Sequence, residues 1–257
     1  MDKRRILEEA SAMRNTHDLL KLLNTLKKSD LGENGFCFSM PQLHYYLDPA
    51  RNKRNYKTFC IPKKTGGVRT IMAPWGILKS LQHYLNTVLQ AYYQAPEAVT
   101  GFVPSKSVVD NAERHIGMNY VYNTDLKDFF PSISKSRVWA TLKSAPFNFN
   151  DKIANAIAGI CCVEIEASGD RVLPQGSPCS PILTNIVCSN LDRKLSGLAK
   201  RFGVVYSRYA DDITFSSSHN VYREHGRFVK EFRRIIKSEG FRLNNQKTRL
   251  QKRGQRQ

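Results

Sequence analysis

Apolar residues recur at helical spacing in four stretches of the chain, with polar residues between them. A stripe of this kind predicts a helix that buries one face. The third stretch has the clearest ends, because Pro181 suits a first helical turn and Gly203 suits the position after a last turn. In the first stretch we expect Thr16 to cap the leucine stripe. The four stretches are residues 1–28, 78–93, 180–203 and 221–239.

β-Branched and aromatic residues are concentrated in three other places, where they predict strands. Residues 57–74 contain two strand-like runs around Gly66 and Gly67, which can supply the positive φ of a tight hairpin. Residues 118–125 and 204–215 also favour strands. Strands and helices mix without the regular alternation of a parallel doubly wound sheet, which predicts the α+β class.

The charge balance separates this chain from an ordinary globular protein. Its 257 residues are 41% hydrophobic and 24% charged, which are usual values for a chain that buries a core. However, 40 lysine and arginine residues stand against 22 aspartate and glutamate residues, for a net charge of +18. Such an excess predicts a nucleic-acid partner, although a merely basic soluble protein has the same composition.

Cysteine usage and the lack of long apolar runs limit the remaining classes. The six cysteines form no C-x-x-C pair, which argues against structural zinc, and they are too few for a disulfide scaffold. No run of about 18 apolar residues occurs, so we expect no membrane partner. The basic N-terminus has no apolar run behind it and does not resemble a signal peptide. These features predict reduced thiols and a cytoplasmic location.

Two neighbouring carboxylates lie in the last strand region, within SRYADDITFSS at residues 207–217. Like charges this close resist ionising together unless a cation neutralises them. With Asp125 at the end of another predicted strand, Asp211 and Asp212 offer the hard oxygen ligands that Mg²⁺ prefers. Two such ions about 3.5–4 Å apart would support phosphoryl transfer. Considered alone, however, the Asp-Asp pair is better explained as an ordinary turn.

Three short motifs resemble the core motifs of reverse transcriptases and occur in the order found in that family. They are NTDLKDFFPSI at 123–133, LPQGSPCSP at 173–181 and YADD at 209–212. Single motifs often mislead, but three in order within a strongly basic chain are specific. Among reverse transcriptases the chain is most similar to those of bacterial retrons, because SVVDNAERHIG at 107–117 resembles their N-A-x-x-H region.

The resemblance implies roles for the carboxylates and for one aromatic residue. Asp125 and Asp211 would hold two catalytic Mg²⁺ ions, and Asp212 would contribute more weakly or indirectly. Phe130 would be a steric gate, since its ring would fill the space that a ribonucleotide 2′-hydroxyl needs. Without the resemblance, Phe130 is more simply interpreted as a core residue.

Five more residues would bind the incoming deoxynucleoside triphosphate. Gln175 and Gly176 would lie against the new base pair, where a residue without Cβ permits close backbone approach. Lys63, Lys64 and Arg69 on the glycine-containing hairpin would grip the triphosphate, Arg through its planar fork and Lys as a point charge. The simpler alternatives are a loop that leads into a helix and a solvated hairpin tip.

Three further assignments depend most on the resemblance. Lys247, in the stretch GFRLNNQKTRL, would protonate the departing pyrophosphate, and a surface lysine is nearly as good an interpretation. Residues 107–116 predict a short helix capped by Ser107. Asn111 and His115 share one face of it and would contact guide RNA. A satisfied core histidine explains His115 equally well.

The same resemblance implies a polymerase right hand, with N-terminal helices and an antiparallel palm sheet that carries the acidic hairpin. Retron enzymes continue into a helical thumb that begins near a V-T-G element. No such element follows Lys247, so we expect the thumb to be absent here, through truncation or because it is supplied separately. The expected division of a reverse transcriptase domain 1–257 is 1–50 for N-terminal helices, 51–118 and 135–172 for fingers, and 119–134 and 173–257 for the palm.

These observations together predict an RNA-directed DNA polymerase of retron type in the bacterial cytoplasm. It would copy a dedicated non-coding RNA into branched, RNA-linked single-stranded DNA and serve in phage defence with an effector protein. One alternative is a group II intron-like or other bacterial reverse transcriptase, and another is a thumbless module that binds RNA without synthesis. A metal-dependent nuclease is disfavoured, because it would leave the PQGSP and DFF stretches without a role.

Overall fold

The computed structural model describes residues 1–32, 35–63 and 66–254, and its mixture of helices and antiparallel strands confirms the α+β class. The helices are α1 (Lys3–Ala12), α2 (Thr16–Leu31), α3 (Met40–Leu47), α4 (Pro49–Lys53), α5 (Gly76–Tyr92), α6 (Val108–Glu113), α7 (Lys135–Lys143), α8 (Asp151–Cys161), α9 (Ser180–Val187), α10 (Ser189–Phe202) and α11 (Arg227–Ser238). The strands are β1 (Tyr56–Pro62), β2 (Val68–Pro74), β3 (Tyr120–Asp125), β4 (Val163–Glu164), β5 (Arg171–Val172), β6 (Val205–Tyr209), β7 (Asp212–Ser217) and β8 (Arg249–Lys252). Within the described ranges, no helix combines the length and the apolar character needed to cross a membrane.

The chain folds into two compact units, and each unit combines two separate stretches of sequence. The first contains Met1–Gln94 and Ile133–Val187, and the second contains Ala95–Ser132 and Cys188–Gln257. The functional division into fingers and palm runs at different residues and stays a prediction.

Side-chain caps set the starts of several helices in the first unit. Asn15 caps α2, since its side chain accepts the backbone N–H of Asp18 while the Asp18 carboxylate accepts the backbone N–H of Asn15. The predicted cap at Thr16 is therefore wrong by one residue, because this reciprocal box satisfies two N–H groups that Thr16 would leave open. The predicted leucine stripe is buried, and its members are Leu19, Leu20, Leu22, Leu23 and Leu26.

Strands β1 and β2 form the predicted glycine hairpin in the first unit. They pair antiparallel, with Tyr56 opposite Pro74 at the open end. Gly66 and Gly67 have φ values of +87° and +79°, as a tight turn requires. Most side chains along both strands are exposed, so the turn, more than packing, sets the register.

The helix predicted over 180–203 is wrong as a single helix. Helix α9 ends at Val187, α10 begins at Ser189, and Cys188 between them has a ψ of −2°. No glycine or proline marks this break, and the boundary between the two units falls at the same place. The predicted end is confirmed, because Gly203 is left-handed and follows the last turn of α10.

The second unit is built on a four-stranded antiparallel sheet with the strand order β6-β7-β3-β8. Helices α10 and α11 cover one face, where the Phe215 ring packs against Phe228 and Phe232 of α11. Helix α11 begins later than the predicted residue 221, because a turn closed by the Gly226 N–H and the Arg223 carbonyl precedes it. The other face carries polar side chains, including those of the candidate site.

Candidate active site

The acidic hairpin of the second unit turns through only two residues. Tyr209 of β6 pairs with Asp212 of β7, which leaves Ala210 and Asp211 as the loop. Ala210 has a φ of +57°, in the left-handed region that residues with a Cβ rarely adopt. The surrounding structure must therefore hold this turn in place, since no glycine relieves it.

Asp125 is brought to the acidic turn by the sheet. It is the last residue of β3 and lies directly opposite Asp212 of β7. One residue further on, the backbone N–H of Leu126 donates to the carbonyl of Asp211 at 3.0 Å. The three carboxylates singled out from the sequence thus converge at one end of the sheet, although Asp125 is distant from the other two along the chain.

Crowding and burial oppose the ionisation of these carboxylates. Burial raises the pKa of Asp211 to about 7, with further contributions from the Asp125 and Asp212 charges. Desolvation, and after it the Asp125 carboxylate, also raises the pKa of Asp212, although that residue is the more exposed of the two. Such a cluster carries its full charge near neutral pH only when a cation neutralises it.

Lys247 and Asn244 contact Asp125 directly. The Lys247 Nζ lies 3.0 Å from Asp125 Oδ1, and the Asn244 Nδ2 donates to Oδ2 at 3.2 Å. Asp125 is 4% exposed, whereas about half of the Lys247 side chain is exposed. Lys247 is therefore a member of the carboxylate cluster, and the interpretation as an unpaired surface lysine does not fit this contact. Its role as a proton donor stays a prediction.

The donor chemistry of the cluster fits a hard divalent cation, but the described ranges contain no ready-made group of three or more His, Cys, Asp or Glu side chains for a metal. Carboxylate oxygens are the ligands that Mg²⁺ prefers. A cation would compete with Lys247 for the Asp125 carboxylate, because both need the same oxygen atoms. Metal binding therefore calls for an adjustment of this contact.

Phe130 is the more exposed member of the Phe129–Phe130 pair. Phe129 is buried and packs near Phe241, whereas Phe130 is half-buried with its ring centroid 6.1 Å from that of Phe102. Phe129 is thus the core residue of the pair. A half-buried ring is compatible with the predicted steric gate, which stays a prediction.

His115 is buried in the second unit and both of its ring nitrogens have partners. Nδ1 lies 2.6 Å from the Ser216 hydroxyl and Nε2 lies 2.7 Å from the Ser207 hydroxyl. Burial, aided by Arg114, lowers the pKa of His115 to about 4, so the ring is neutral. With 6% exposure, this geometry favours the core histidine over a direct contact with RNA.

Asn111 also has a partner within the second unit. The predicted cap of α6 is confirmed, because the Ser107 hydroxyl accepts the backbone N–H groups of Val109 and Asp110. Asn111 follows on this helix, and its Oδ1 accepts a hydrogen bond from the Thr100 hydroxyl at 3.0 Å. The Asn111 and His115 side chains of the N-A-x-x-H region therefore bind hydroxyl groups within the second unit, and an RNA contact of Asn111 stays a prediction.

Gly176 lies against the glycine hairpin within the first unit. A Cβ at Gly176 would lie 2.8 Å from Ile71 Cγ2, and its φ is +119°. The neighbouring Gln175 is half-buried, and its carbonyl accepts the backbone N–H of Met72 at 2.8 Å. Both residues therefore contact strand β2, and their contact with a new base pair stays a prediction.

The predicted triphosphate contacts lie at the end of the same hairpin. Lys63 and Arg69 are exposed there, and the Lys63 backbone N–H donates to the Gly67 carbonyl. Lys64 lies outside the described residues. Their part in nucleotide binding stays a prediction.

Four residues that are buried or that contact the candidate site were not singled out from the sequence. Gln82 accepts a hydrogen bond from Ser177 in the first unit, and Asn244 contacts Asp125 in the second. Gly101 packs against the acidic turn, and Arg208 pairs with a buried aspartate. Among these four, only Arg208 had a visible signal, because it is a charged residue inside a predicted strand.

Comparisons with known proteins agree with this architecture. The family described as reverse transcriptase (RNA-dependent DNA polymerase) matches residues 61–256. The chain is 39% identical over 224 residues to the retron Mx65 reverse transcriptase of Myxococcus xanthus, covering 82% of this chain and 52% of that protein. It is 36% identical over 198 residues to the retron Ec86 reverse transcriptase of Escherichia coli, covering 75% and 58%. The chain belongs to the reverse transcriptase family, which confirms the resemblance seen in its motifs.

The chain spans about half the length of these curated relatives. Among solved structures it is similar to telomerase from Candida albicans, with a TM-score of 0.53 and 13% identity over 80% of this chain and 45% of that one. Telomerase from Candida tropicalis gives a TM-score of 0.50 and 18% identity over 79% and 51%. At such identities the likeness shows the fold alone, which is that of a right-handed polymerase.

Proposed function

We propose that this protein is an RNA-directed DNA polymerase of retron type. The observation that carries the proposal is the convergence of Asp125, Asp211 and Asp212 at one end of the antiparallel sheet. Membership of the reverse transcriptase family and similarity to retron enzymes support the same conclusion. A turn-forming Asp-Asp pair alone would not bring Asp125 opposite Asp212.

In this proposal Asp125 and Asp211 hold two Mg²⁺ ions, and Asp212 adds a weaker or indirect contribution. Ions held there would supply Lewis-acid chemistry, which would favour ionisation of the primer hydroxyl and neutralise charge on the departing pyrophosphate. The Lys247 ammonium leaves Asp125, contacts the departing pyrophosphate and donates a proton to it. The 3.0 Å contact between Lys247 Nζ and Asp125 Oδ1 supports this role, since the ammonium lies within the carboxylate cluster.

The nucleotide-binding roles are proposals on the same footing. Phe130 excludes the 2′-hydroxyl of a ribonucleotide, supported by its half-buried ring. Gln175 and Gly176 contact the new base pair. Lys63 and Arg69, which are exposed at the hairpin end, bind the triphosphate of a deoxynucleotide, and Lys64 is proposed to share this role.

The proposed partner is a dedicated non-coding RNA that serves as template and primer, with a branched DNA product. The net charge of +18 supports a polyanionic partner. The similarity to bacterial retron enzymes supports the choice of a retron RNA. A location in the bacterial cytoplasm and cooperation with an effector protein in phage defence are further parts of the same proposal.

Primer extension with Asp211→Asn tests the proposal. We expect the unchanged chain to extend DNA on an RNA template with Mg²⁺ and deoxynucleotides, and the variant to lose this activity. The matched control is Asp170→Asn, which removes an exposed carboxylate from the short loop between β4 and β5 and should leave extension unchanged. Retained synthesis by Asp211→Asn contradicts the assignment.

The product distinguishes the retron type from other reverse transcriptases. Nucleic acid purified with the protein is sequenced before and after RNase treatment. We expect DNA that remains attached to a ribonucleotide through a branch. RNA-bound protein that makes only linear DNA indicates a group II intron-like enzyme, and RNA without any DNA indicates a binding module.

A further inference from the structure

A fully buried ion pair lies behind the acidic turn, within the second unit. Arg208 of β6 and Asp192 of α10 both have 0% exposed side chains. Arg208 Nε donates to Asp192 Oδ1 and Nη2 donates to Oδ2, each at 2.7 Å. This two-point geometry fixes the plane of the guanidinium.

The third contact of this guanidinium is to the turn itself. Arg208 Nη1 donates to the carbonyl of Ala210 at 2.9 Å. That carbonyl belongs to the peptide unit that joins Ala210 to Asp211. Because a peptide unit is planar, fixing its oxygen also fixes the backbone N–H and the start of Asp211.

The Arg208 backbone is fixed as well as its side chain. Its N–H donates to the Ala98 carbonyl at 2.8 Å, and its carbonyl accepts the Thr100 N–H at 3.0 Å. The guanidinium is therefore held at both ends: its own strand is fixed by backbone hydrogen bonds, and Asp192 of α10 binds its nitrogen atoms. Arg208 and Asp192 thus restrain the turn through contacts that do not involve the carboxylates of Asp125, Asp211 or Asp212.

Stability alone is a poor explanation for such a pair. Removing two charges from water is costly, and well-packed apolar side chains often replace a buried pair without loss. The pair is instead well suited to a conformational task, since Ala210 has a φ of +57° that needs an external restraint.

We propose that the Arg208–Asp192 pair is a positioning device that orients Asp211 by holding the Ala210 carbonyl. This inference rests on the proposed polymerase function for its effect on synthesis, but the restraint on the turn stands independently. Arg208 and Asp192 are positioning residues, since neither reaches the reacting groups.

Arg208→Lys tests the proposal, because lysine keeps a positive charge beside Asp192 but cannot contact both carboxylate oxygens and the Ala210 carbonyl. The matched control is Tyr206→Phe. The Tyr206 hydroxyl donates to the same Asp192 oxygen at 2.7 Å, so its loss disturbs the same cluster without touching the turn.

Two measurements are made on each variant of the 257-residue chain. For Arg208→Lys we expect kcat to fall by about 10²-fold with little change in the KM for deoxynucleotide, as for a small misplacement of a reacting group. We also expect faster amide hydrogen exchange over residues 209–214. For Tyr206→Phe we expect near-normal kcat and unchanged exchange in that segment.

The outcomes separate this inference from the proposed function. If the unchanged chain synthesises no DNA, the polymerase assignment fails, and faster exchange in Arg208→Lys still supports the restraint. If both variants show the same kcat and the same exchange over residues 209–214, the pair has only a general stabilising role and the inference is overturned. Should Arg208→Lys fail to fold, Asp192→Asn, which retains the hydrogen-bonding oxygen for one arginine contact, gives the same comparison.

Discussion

Two antiparallel hairpins of this protein solve the same backbone problem in opposite ways. The β1–β2 hairpin is exposed along most of its length and turns through a region that contains Gly66 and Gly67. The β6–β7 hairpin is largely buried and turns through Ala210 and Asp211. Both turns need a positive φ, but only the first supplies it with glycine.

The difference shows where the information for each turn lies. In the exposed hairpin the local sequence is sufficient, because glycine adopts a positive φ at no steric cost. In the buried hairpin the restraint comes from outside the two turn residues, through the Leu126 N–H, the close approach of Gly101, and the guanidinium of Arg208 on β6, which Asp192 of α10 holds in place. A turn that is held by its surroundings can keep a strained backbone conformation and closely spaced like charges. A turn without such contacts would relax away from both.

The largest effect on this comparison is expected from Gly101→Ala. A Cβ at this position would lie 2.2 Å from the Ala210 backbone nitrogen and 2.8 Å from the Tyr209 carbonyl carbon. Backbone atoms cannot move aside as a side-chain end can, so we expect a loss of about 3 kcal/mol in the free energy of unfolding. Urea unfolding measures this loss.

The matched control for that change is Gly197→Ala on α10. Apart from the backbone of α10 itself, no atom of the described residues lies within 4 Å of an added Cβ there, and alanine in a helix should raise the free energy of unfolding by about 0.5–1 kcal/mol. If Gly101→Ala is no less stable than Gly197→Ala, the buried turn does not depend on this close approach.

The sequence was most informative where a feature depends on neighbours in the chain. The paired glycines predicted one hairpin, Ser107 predicted the start of α6, and Gly203 predicted the end of α10. The three family motifs also identified Asp125, Asp211 and Asp212, which the sheet register then brings together. Each of these signals is carried by a few consecutive residues.

The sequence was least informative where two distant segments decide the outcome. The break at Cys188 contains no glycine or proline, and the pairing of Arg208 with Asp192 joins a strand to a helix. His115 was left open between two interpretations, because its serine partners on β6 and β7 are not its neighbours in the chain. Such contacts follow from packing, and no local pattern reports them.

A second prediction concerns the charge of the buried turn. Burial raises the pKa of Asp211 from 3.8 to about 7, so the folded protein keeps a proton that the unfolded chain has lost. Without cations, the folded state binds more protons across this window, and this carboxyl makes stability fall as pH rises from about 4 to about 7. We expect Mg²⁺ to raise Tm more at pH 8 than at pH 5.

Asp211→Asn isolates that contribution, since the variant cannot ionise at this position. Its Tm in EDTA should fall less between pH 5 and pH 8 than that of the unchanged chain, and its response to Mg²⁺ should be smaller. Equal Mg²⁺ shifts at both pH values, or the same pH dependence in the variant, would show that the crowded carboxylates do not respond to a cation.

The smallest effect is expected at the exposed hairpin, where only the local backbone is at stake. Gly67 has a φ of +79°, and among the described residues no atom beyond its chain neighbours lies within 4 Å of an added Cβ, so we expect Gly67→Ala to meet conformational strain. We expect a loss of about 1 kcal/mol, measured by urea unfolding. Gly67→Asn is the matched comparison, because asparagine tolerates a positive φ better than alanine does. If alanine and asparagine are equally costly, the turn is not governed by its own backbone preferences, and the contrast between the two hairpins loses its basis.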